Sequence, residues 1–314
     1  MRYPAVAGTF YPASAQALER MVDAYLRKAR DELKNVKNEM AKAPLKKSGR
    51  EKKDILDLDG KEKEEFGAKD FEKNIKAIVV PHAGLVYSGQ CAAYSYAAAE
   101  SILKKENTTV IMAGPNHTGV GGLANVSFEE WKTPLGKSET DLRVAGEIIK
   151  RSKFCEKNET AHMREHSLEV QLPFLQKINP KIKIVAVNLG MQTIEVAKDV
   201  GRAAFEAVKM SEFKDKNFVF VASSDFTHYE SGERAKMLDK KPIEMIKNMD
   251  NDGLAREVEL KNLSICGYGA ICAGIEYAKL AGGRRAKLLK YTNSGQQIGG
   301  SEEKVVAYSS FAIA

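Results

Sequence analysis

The chain has 314 residues, of which 43% are hydrophobic, so it is long enough to bury a substantial core. No apolar run approaches the roughly 20 residues of a transmembrane helix, and no signal peptide is visible, which predicts a cytoplasmic protein with no membrane partner. The four cysteines form no CxxC pair, so we expect reduced thiols. The net charge of +7 includes +4 from residues 27–76, where 16 basic residues face 12 acidic ones, and this mixed-sign pattern excludes a basic nucleic-acid-binding stripe.

The N-terminal part of the chain predicts one helix followed by a charged segment. Ser14 is a candidate N-cap, and apolar residues recur at helical spacing behind it, so the first helix should begin near Ala15. The charged stretch that follows this helix contains few large apolar residues before Phe66. We therefore expect a single domain over residues 1–314, with a charged surface insertion at about 35–73.

Strands and helices alternate along the rest of the chain. The predicted strands are short apolar runs: Ile78–Val80, Thr109–Ala113, Lys183–Leu189, Phe218–Ala222, Ala286–Tyr291 and Val305–Phe311. The predicted helices are rich in Ala or have helical periodicity: Ser88–Lys105, Asp141–Ser152, His166–Ile178, Glu195–Met210, Lys240–Asn248, Gly253–Val258 and Gly267–Leu280. This alternation predicts an α/β fold with a mostly parallel central sheet flanked by helices, and the two closing strands predict an antiparallel part.

Three of the five histidines follow predicted strands within a few residues. They are His82, His117 and His228. One histidine at the end of a strand is usually a hydrogen-bonded structural residue. Because the carboxyl ends of parallel strands meet at one edge of a sheet, three such residues indicate a shared site.

Two further residues could complete a metal site with these histidines. Asp225 lies three residues before His228 and could bind a metal or orient an imidazole. Cys266 precedes the predicted helix from Gly267, whose N-terminus would favour a thiolate as ligand or nucleophile. A small buried side chain is the alternative for Cys266, and packing is the expected role of Cys91 and Cys272.

The segment HMREH supports a different hypothesis. His162 and His166, with Glu165 between them, match the H-x-x-E-H pattern of inverted zinc proteases, which predicts a zinc-dependent hydrolase with Glu165 as its base. The flanking residues instead place the start of a helix at about His166. That start would remove His162 from the helix face that the pattern requires.

Seven segments together resemble the Memo family ("mediator of cell motility"). They are PAVAGTFYP, PHAGLVYSG, GPNHTG, TPLG, EHSLEVQLPFL, SSDFTHYE and CGYGA, and they run in family order from residue 4 to about residue 270. The resemblance covers nearly the whole chain except the charged insertion. It implies a fold similar to that of the class III extradiol dioxygenases.

The resemblance also implies a pocket that binds one metal ion per chain. Iron or copper is the expected metal, and zinc is the alternative. The family's ligands correspond to His82, His117 and Cys266, with Asp225 and His228 beside them. The related dioxygenases bind ferrous iron through two histidines and a glutamate. Cys266 at the carboxylate position argues against ring cleavage and favours copper or zinc, because a thiolate is softer than a carboxylate.

Two main hypotheses follow for the function. The first is a non-haem metal-dependent redox enzyme, dioxygenase-like, in which His228 is oriented by Asp225 as acid or base and His166 lines the pocket or orients a ligand. The second is a non-catalytic binding module whose same pocket accepts an acidic or phosphorylated peptide, helped by helix N-termini. The ligand is a small molecule or a peptide in either case.

Overall fold

The structure is a computed structural model that describes residues 1–42 and 68–314. Within these ranges the strands, in chain order, are β1 (Ala77–Val80), β2 (Thr108–Pro115), β3 (Ala124–Val126), β4 (Trp131–Thr133), β5 (Gly136–Ser138), β6 (Cys155–Lys157), β7 (Lys183–Leu189), β8 (Asn217–Ser223), β9 (His228–Glu230), β10 (Ala286–Asn293) and β11 (Val305–Ile313). All the predicted strands are confirmed. The short strands β3 to β6 and β9 were not predicted, because three residues carry too little periodicity to be recognised.

The helices are amphipathic or Ala-rich, as their sequences predict. In chain order they are α1 (Ala15–Lys42), α2 (Ala68–Lys73), α3 (Leu85–Leu103), α4 (Leu142–Arg151), α5 (Leu172–Ile178), α6 (Ile194–Val208), α7 (Gly232–Lys247), α8 (Asn251–Lys261), α9 (Tyr268–Leu280) and α10 (Ser294–Ile298). Short 3₁₀ turns cover Thr160–His162, Glu169–Gln171 and Ser211–Phe213. None of the helices in the described part of the chain has the length and apolarity needed to span a bilayer.

The main sheet is parallel at its centre and antiparallel towards both edges. Its strands lie in the order β10-β11-β1-β8-β2-β7-β3-β6, and β9 pairs with β11. Strands β1, β8, β2 and β7 are mutually parallel, whereas β11 runs antiparallel to β1 and β3 antiparallel to β7. The predicted α/β domain with a mostly parallel central sheet is therefore confirmed, including its antiparallel closing strands.

Helices cover both faces of this sheet, so the central strands are buried on both sides. In β1, Ile78 and Val80 contribute to the apolar core beneath α1 and α3, whereas Ala77 and Val79 contribute to the core beneath α6 and α9. Successive side chains of a strand point to opposite faces. A strand that lies between two cores therefore reads as a continuous apolar run, which is why β1, β7 and β8 were easily recognised.

Two predicted helices differ in the structure. The helix predicted from His166 begins only at Leu172, because the preceding residues follow an irregular path with a single 3₁₀ turn. The helix predicted from Lys240 begins earlier, at Gly232, where the Ser231 hydroxyl caps it by accepting the N–H of Arg234.

Part of the predicted insertion lies in the described ranges. Helix α1 continues to Lys42, and α2 occupies Ala68–Lys73. The rest of the predicted 35–73 segment lies outside the described residues.

All four cysteines are free thiols, as predicted. Cys91 and Cys272 are buried within α3 and α9, where packing is their evident role. Cys155 is buried at the start of β6. Cys266 differs from these three because it is only partly buried and lies next to histidines.

Candidate metal centre

The carboxyl edge of the parallel strands brings three of the predicted site residues together. His82 lies two residues after β1, His117 two residues after β2, and Asp225 two residues after β8. Strand β8 pairs with both β1 and β2, so the three strand ends are neighbours. The parallel topology therefore converts three distant sequence positions into one site.

His82, His117 and Cys266 form a group with three potential metal donors. One donor atom from each residue lies within 4.8 Å of the other two. The Nε2 atom of His82 lies 3.1 Å from the Sγ atom of Cys266. His82 is 1% exposed, whereas the His117 side chain is 36% exposed, so the group opens to solvent on the His117 side.

Close approach of the backbone places Cys266 beside His82. A Cβ atom on Gly267 would lie 2.2 Å from the Ser223 carbonyl oxygen, so only glycine allows this loop to pass the end of β8. The Asp225 N–H donates to the Cys266 sulfur at 3.3 Å. Burial, and then the nearby Asp225 carboxylate, raise the pKa of the Cys266 thiol well above its ordinary value. The expectation that the helix N-terminus would make Cys266 a thiolate is therefore wrong for the metal-free chain.

A hydrogen-bond network determines which nitrogen of His82 carries the proton. The Ser223 hydroxyl donates its one proton to the Ser167 carbonyl at 2.8 Å and accepts from the Gln171 amide at 3.0 Å. Its contact with His82 Nδ1, at 2.9 Å, must therefore be a hydrogen bond donated by Nδ1–H. This leaves the Nε2 lone pair, on the side of Cys266, available to a metal.

The charge state of His82 agrees with this role. Burial lowers its pKa well below the ordinary value, and the neighbouring His166, His117 and His228 lower it further. The imidazole is therefore neutral, which is the form that binds metals.

Glu165 orients His117. Its carboxylate accepts the His117 backbone N–H at 2.5 Å and contacts His117 Nδ1 at 3.0 Å. Burial raises the pKa of Glu165, but the hydrogen bonds and charge of His117 outweigh this and lower the pKa to about 2. An ionised carboxylate can only accept, so Nδ1 of His117 carries a proton, and Nε2 is the nitrogen that the neutral ring presents to a metal.

A second group of potential donors, His117, Glu165 and His166, is better explained as support for the first. Oε1 of Glu165 already accepts from His117 Nδ1 and from the N–H groups of His166 and Ser167. These bonds leave that oxygen little capacity to bind an ion. The His166 ring stacks on the His117 ring at 4.7 Å and contacts the Phe10 ring at the same distance with a tilt of 57°, so His166 lines the site.

Asp225 supports a loop and does not contact the His228 ring. Its Oδ1 atom accepts the backbone N–H of His82 at 2.7 Å. Burial raises the pKa of Asp225 to about 6, although the His82 N–H and the charge of His228 lower it. The hypothesis that Asp225 orients His228 through a hydrogen bond is therefore not supported.

Ser264 orients His228 instead. The Ser264 hydroxyl accepts the His228 backbone N–H, and the Ser264 carbonyl lies 2.8 Å from His228 Nδ1. A carbonyl only accepts, so Nδ1 is protonated, and in the neutral ring the lone pair lies on Nε2. The charge of His228 lowers the pKa of both His82 and Asp225, but neither group of potential metal donors includes His228.

His162 does not belong to this site. It lies in a 3₁₀ turn, 0% exposed, with its ring against Trp131 and its Nε2 atom 3.0 Å from the Asn125 carbonyl. The H-x-x-E-H pattern therefore does not lie on a helix, and neither group of potential metal donors includes His162.

Three supporting residues, Gln171, Ser223 and Ser264, were missed as site residues, and Glu165 was predicted only as the base of a hydrolase. Glu165 and Gln171 lie within EHSLEVQLPFL, Ser223 lies within SSDFTH, and Ser264 lies just before Cys266. Their partners come from distant parts of the chain, so the sequence could not specify which atoms they contact.

Comparison with known proteins extends over the full chain. The family model described as Memo-like protein matches residues 52–312. A MEMO1 family protein of Methanosarcina mazei is 38% identical over 314 residues, which cover 100% of this chain and 99% of that protein. MEMO1 family proteins of Nitrosopumilus maritimus and Methanocaldococcus jannaschii are 36% and 35% identical, over at least 98% of each chain.

Proposed function

The chain belongs to the Memo-like protein family, and from this premise and the geometry of the site we propose that it is a non-haem metal-binding redox protein. The observation that carries the proposal is the grouping of His82, His117 and Cys266, with their donor atoms within 4.8 Å of one another. Both imidazoles have their Nδ1 protons engaged elsewhere, so both Nε2 lone pairs are available. One ion per chain is the expected stoichiometry.

The chemistry of the donors fits copper or iron. Two imidazole nitrogens and one thiolate form the equatorial donor set of mononuclear copper electron-transfer sites, and zinc is compatible with the same donors. The carboxylate that open ferrous sites use is not a member of this group of donors. Bound copper or iron would supply one-electron transfer, and the thiolate favours copper.

The residues around the group have separate tasks in this proposal. Ser223 and Glu165 hold the rings of His82 and His117 in the tautomer that presents Nε2. The burial of His82 excludes water from one side of the site. His228 is the acid or base, because its Nε2 lone pair can accept a proton while Ser264 holds its Nδ1–H.

The two alternative functions have less support. An acidic or phosphorylated peptide would meet the fixed negative charge of Glu165 near His117, which disfavours the non-catalytic binding module. A zinc hydrolase would need His162 and a free Glu165 carboxylate. Neither condition is met, because His162 is buried elsewhere and Glu165 is hydrogen-bonded to His117.

Copper and iron loading of the metal-free protein tests the proposal. Stoichiometric Cu(II) should produce a thiolate-to-copper charge-transfer band that ascorbate removes and air restores. Cys266→Ser should abolish the band, because the variant lacks the sulfur donor.

Cys155→Ser is the matched control, since Cys155 is a buried thiol on β6 outside the donor group. It should keep the band. A wild-type protein that binds neither metal, or a band that survives in Cys266→Ser and disappears in Cys155→Ser, would overturn the proposal.

A further inference from the structure

The second residue of the chain is a buried arginine. Arg2 is 4% exposed, and its guanidinium lies over the Trp131 ring at 4.4 Å. Its charge is balanced by an ion pair with Glu169, which is 0% exposed. A buried charge of this kind is retained only where its geometry is well satisfied.

Arg2 also donates two hydrogen bonds to the loop that carries Glu165. Its Nε–H donates to the His162 carbonyl at 3.0 Å, and Nη2 donates to the Glu165 carbonyl at 2.7 Å. The planar guanidinium thus holds three backbone carbonyls, including that of Tyr3, and one carboxylate at the same time. Lysine cannot reproduce this arrangement, because its ammonium is a single point of charge.

The loop needs such a support because its own backbone bonding is sparse. Between the 3₁₀ turns Thr160–His162 and Glu169–Gln171 the chain forms neither helix nor strand. Yet this loop contributes Glu165, whose carboxylate accepts both the backbone N–H and the ring of His117. The position of Glu165 therefore depends on contacts from outside the loop.

The same N-terminal segment is itself fastened to Glu169. The Glu169 carboxylate accepts the N–H groups of Ala5 and Val6 and the hydroxyl of Tyr11 at 2.5 Å. From there the segment continues to Phe10, whose ring lies on His166. The N-terminal segment and the site loop are thus joined through one buried ion pair.

We propose that Arg2 is a positioning residue of the metal centre, which acts on the ligand His117 through Glu165. This inference rests on the proposed metal-binding function. Arg2 contacts no donor atom of the group, so its effect on a bound ion passes through the Glu165 backbone. Supports of this kind alter metal affinity by about 10–100-fold in other proteins.

Arg2→Lys is the decisive variant, because it keeps a positive charge beside Glu169 and removes the guanidinium fork. We expect the variant to fold and its affinity for copper to fall about tenfold or more, measured by competition with a chelator. Lys216→Met is the matched control. It removes the cation paired with the buried carboxylate of Asp141, at the amino ends of the parallel strands and so away from the metal centre. An affinity equal to that of wild type in Arg2→Lys would overturn the inference.

A double-mutant cycle separates positioning from general destabilisation. In a Glu165→Gln background the ring of His117 has already lost its carboxylate partner, so adding Arg2→Lys should reduce copper affinity by less than twofold further. Full additivity of the two substitutions would show that Arg2 does not act through Glu165, and would contradict the proposal.

A third measurement needs no metal, so it decides the inference even if the proposed function fails. In the metal-free protein, Arg2→Lys should accelerate amide hydrogen exchange at His117, His166 and Ser167, whose N–H groups donate to Glu165. The Phe226 amide, bonded to the Ala307 carbonyl, should exchange as in wild type. Unchanged exchange at the three Glu165-bonded amides, or equal acceleration at Phe226, would overturn the proposal, whether or not wild type binds metal.

Discussion

Two pairs of buried carboxylates lie at or near the candidate metal centre, and the two pairs differ in the groups that balance their charge. On one side Glu165 and Glu169 receive charged or multiple donors. On the other side Asp225 and Asp239 receive neutral backbone and hydroxyl groups. The difference separates a permanently charged support from one that can take up protons near neutral pH.

The Glu165 side lies on an irregular loop and is held by ionic and hydrogen-bond contacts. Its carboxylate stays charged because the hydrogen bonds of His117 lower its pKa to about 2, despite the opposing effect of burial. Glu169 is paired with Arg2. A fixed charge behind an imidazole orients the ring and makes the opposite nitrogen a stronger donor.

The Asp225 side follows β8 and is held by its backbone. The N–H groups of residues 224–228 all have partners: the Val80 carbonyl, the Cys266 sulfur, the Ala307 carbonyl, the Asp239 carboxylate and the Ser264 hydroxyl. Burial raises the pKa of both Asp225 and Asp239 to about 6. Carboxyl groups with such different pKa values beside one site suit different roles, and the Asp225 side is the one that can exchange protons.

Asp239→Asn should produce the largest change in stability. The native pKa of about 6 lies above the ordinary 3.8, so between these values the native chain binds more protons than the unfolded chain. Protonation of Asp239 stabilises the native chain fully below about pH 3.8. This stabilisation, about 3 kcal/mol, is lost as the pH rises through 6. Asparagine avoids this cost, so the variant should gain up to about 3 kcal/mol relative to wild type between pH 4 and pH 7 in denaturant unfolding.

Asp250→Asn controls for the loss of one negative charge, because Asp250 is an exposed cap of α8. A difference between Asp239→Asn and wild type that stays constant from pH 4 to pH 7 would show that Asp239 takes up no proton in this range.

Glu165→Gln should weaken copper binding by about 10–100-fold, or about 1.4–2.7 kcal/mol. Glutamine has one acceptor oxygen, so its NH2 group would face either the His117 backbone N–H or the N–H groups of His166 and Ser167, and the His117 ring would lose its charged partner. Chelator competition measures the change. Glu159→Gln is the control, since Glu159 accepts hydrogen bonds from Ser127 and Phe128 in a different part of the structure. Equal losses of copper affinity in the two variants would contradict a specific role of Glu165.

Asp225→Asn should have the smallest effect on copper affinity, less than about threefold, or about 0.6 kcal/mol. The Asp225 oxygen accepts a backbone N–H from His82, and an asparagine carbonyl can accept the same bond. A loss as large as that in Glu165→Gln would mean that the two sides support the metal in the same way.

The sequence predicted the framework of this site because its signals are local. Strands β1, β2 and β8 are apolar runs, and His82, His117 and Asp225 each lie two residues after the end of one of them. Parallel pairing then brings the strand ends together without further information. The convergence of these residues could therefore be expected before the structure.

The hydrogen bonds and ion pairs that support the site could not be predicted in the same way, because they join residues that are distant in sequence. Arg2 and Glu169 are 167 positions apart, and the His82 ring meets Ser223 across 141 positions. The helix dipole suggested a thiolate at Cys266, but burial and the Asp225 charge have the larger effect and keep the thiol protonated in the metal-free chain. Likewise, apolar residues after His166 suggested a helix where the chain forms the irregular loop that carries Glu165.

Elemental analysis of protein purified without chelators tests the central claim most directly. Wild type should contain one iron or copper ion per chain, because His82, His117 and Cys266 present three donors within one group. The double variant His82→Ala/Cys266→Ser should contain none, while folding like wild type by circular dichroism. Equal metal content in the two proteins would contradict the account.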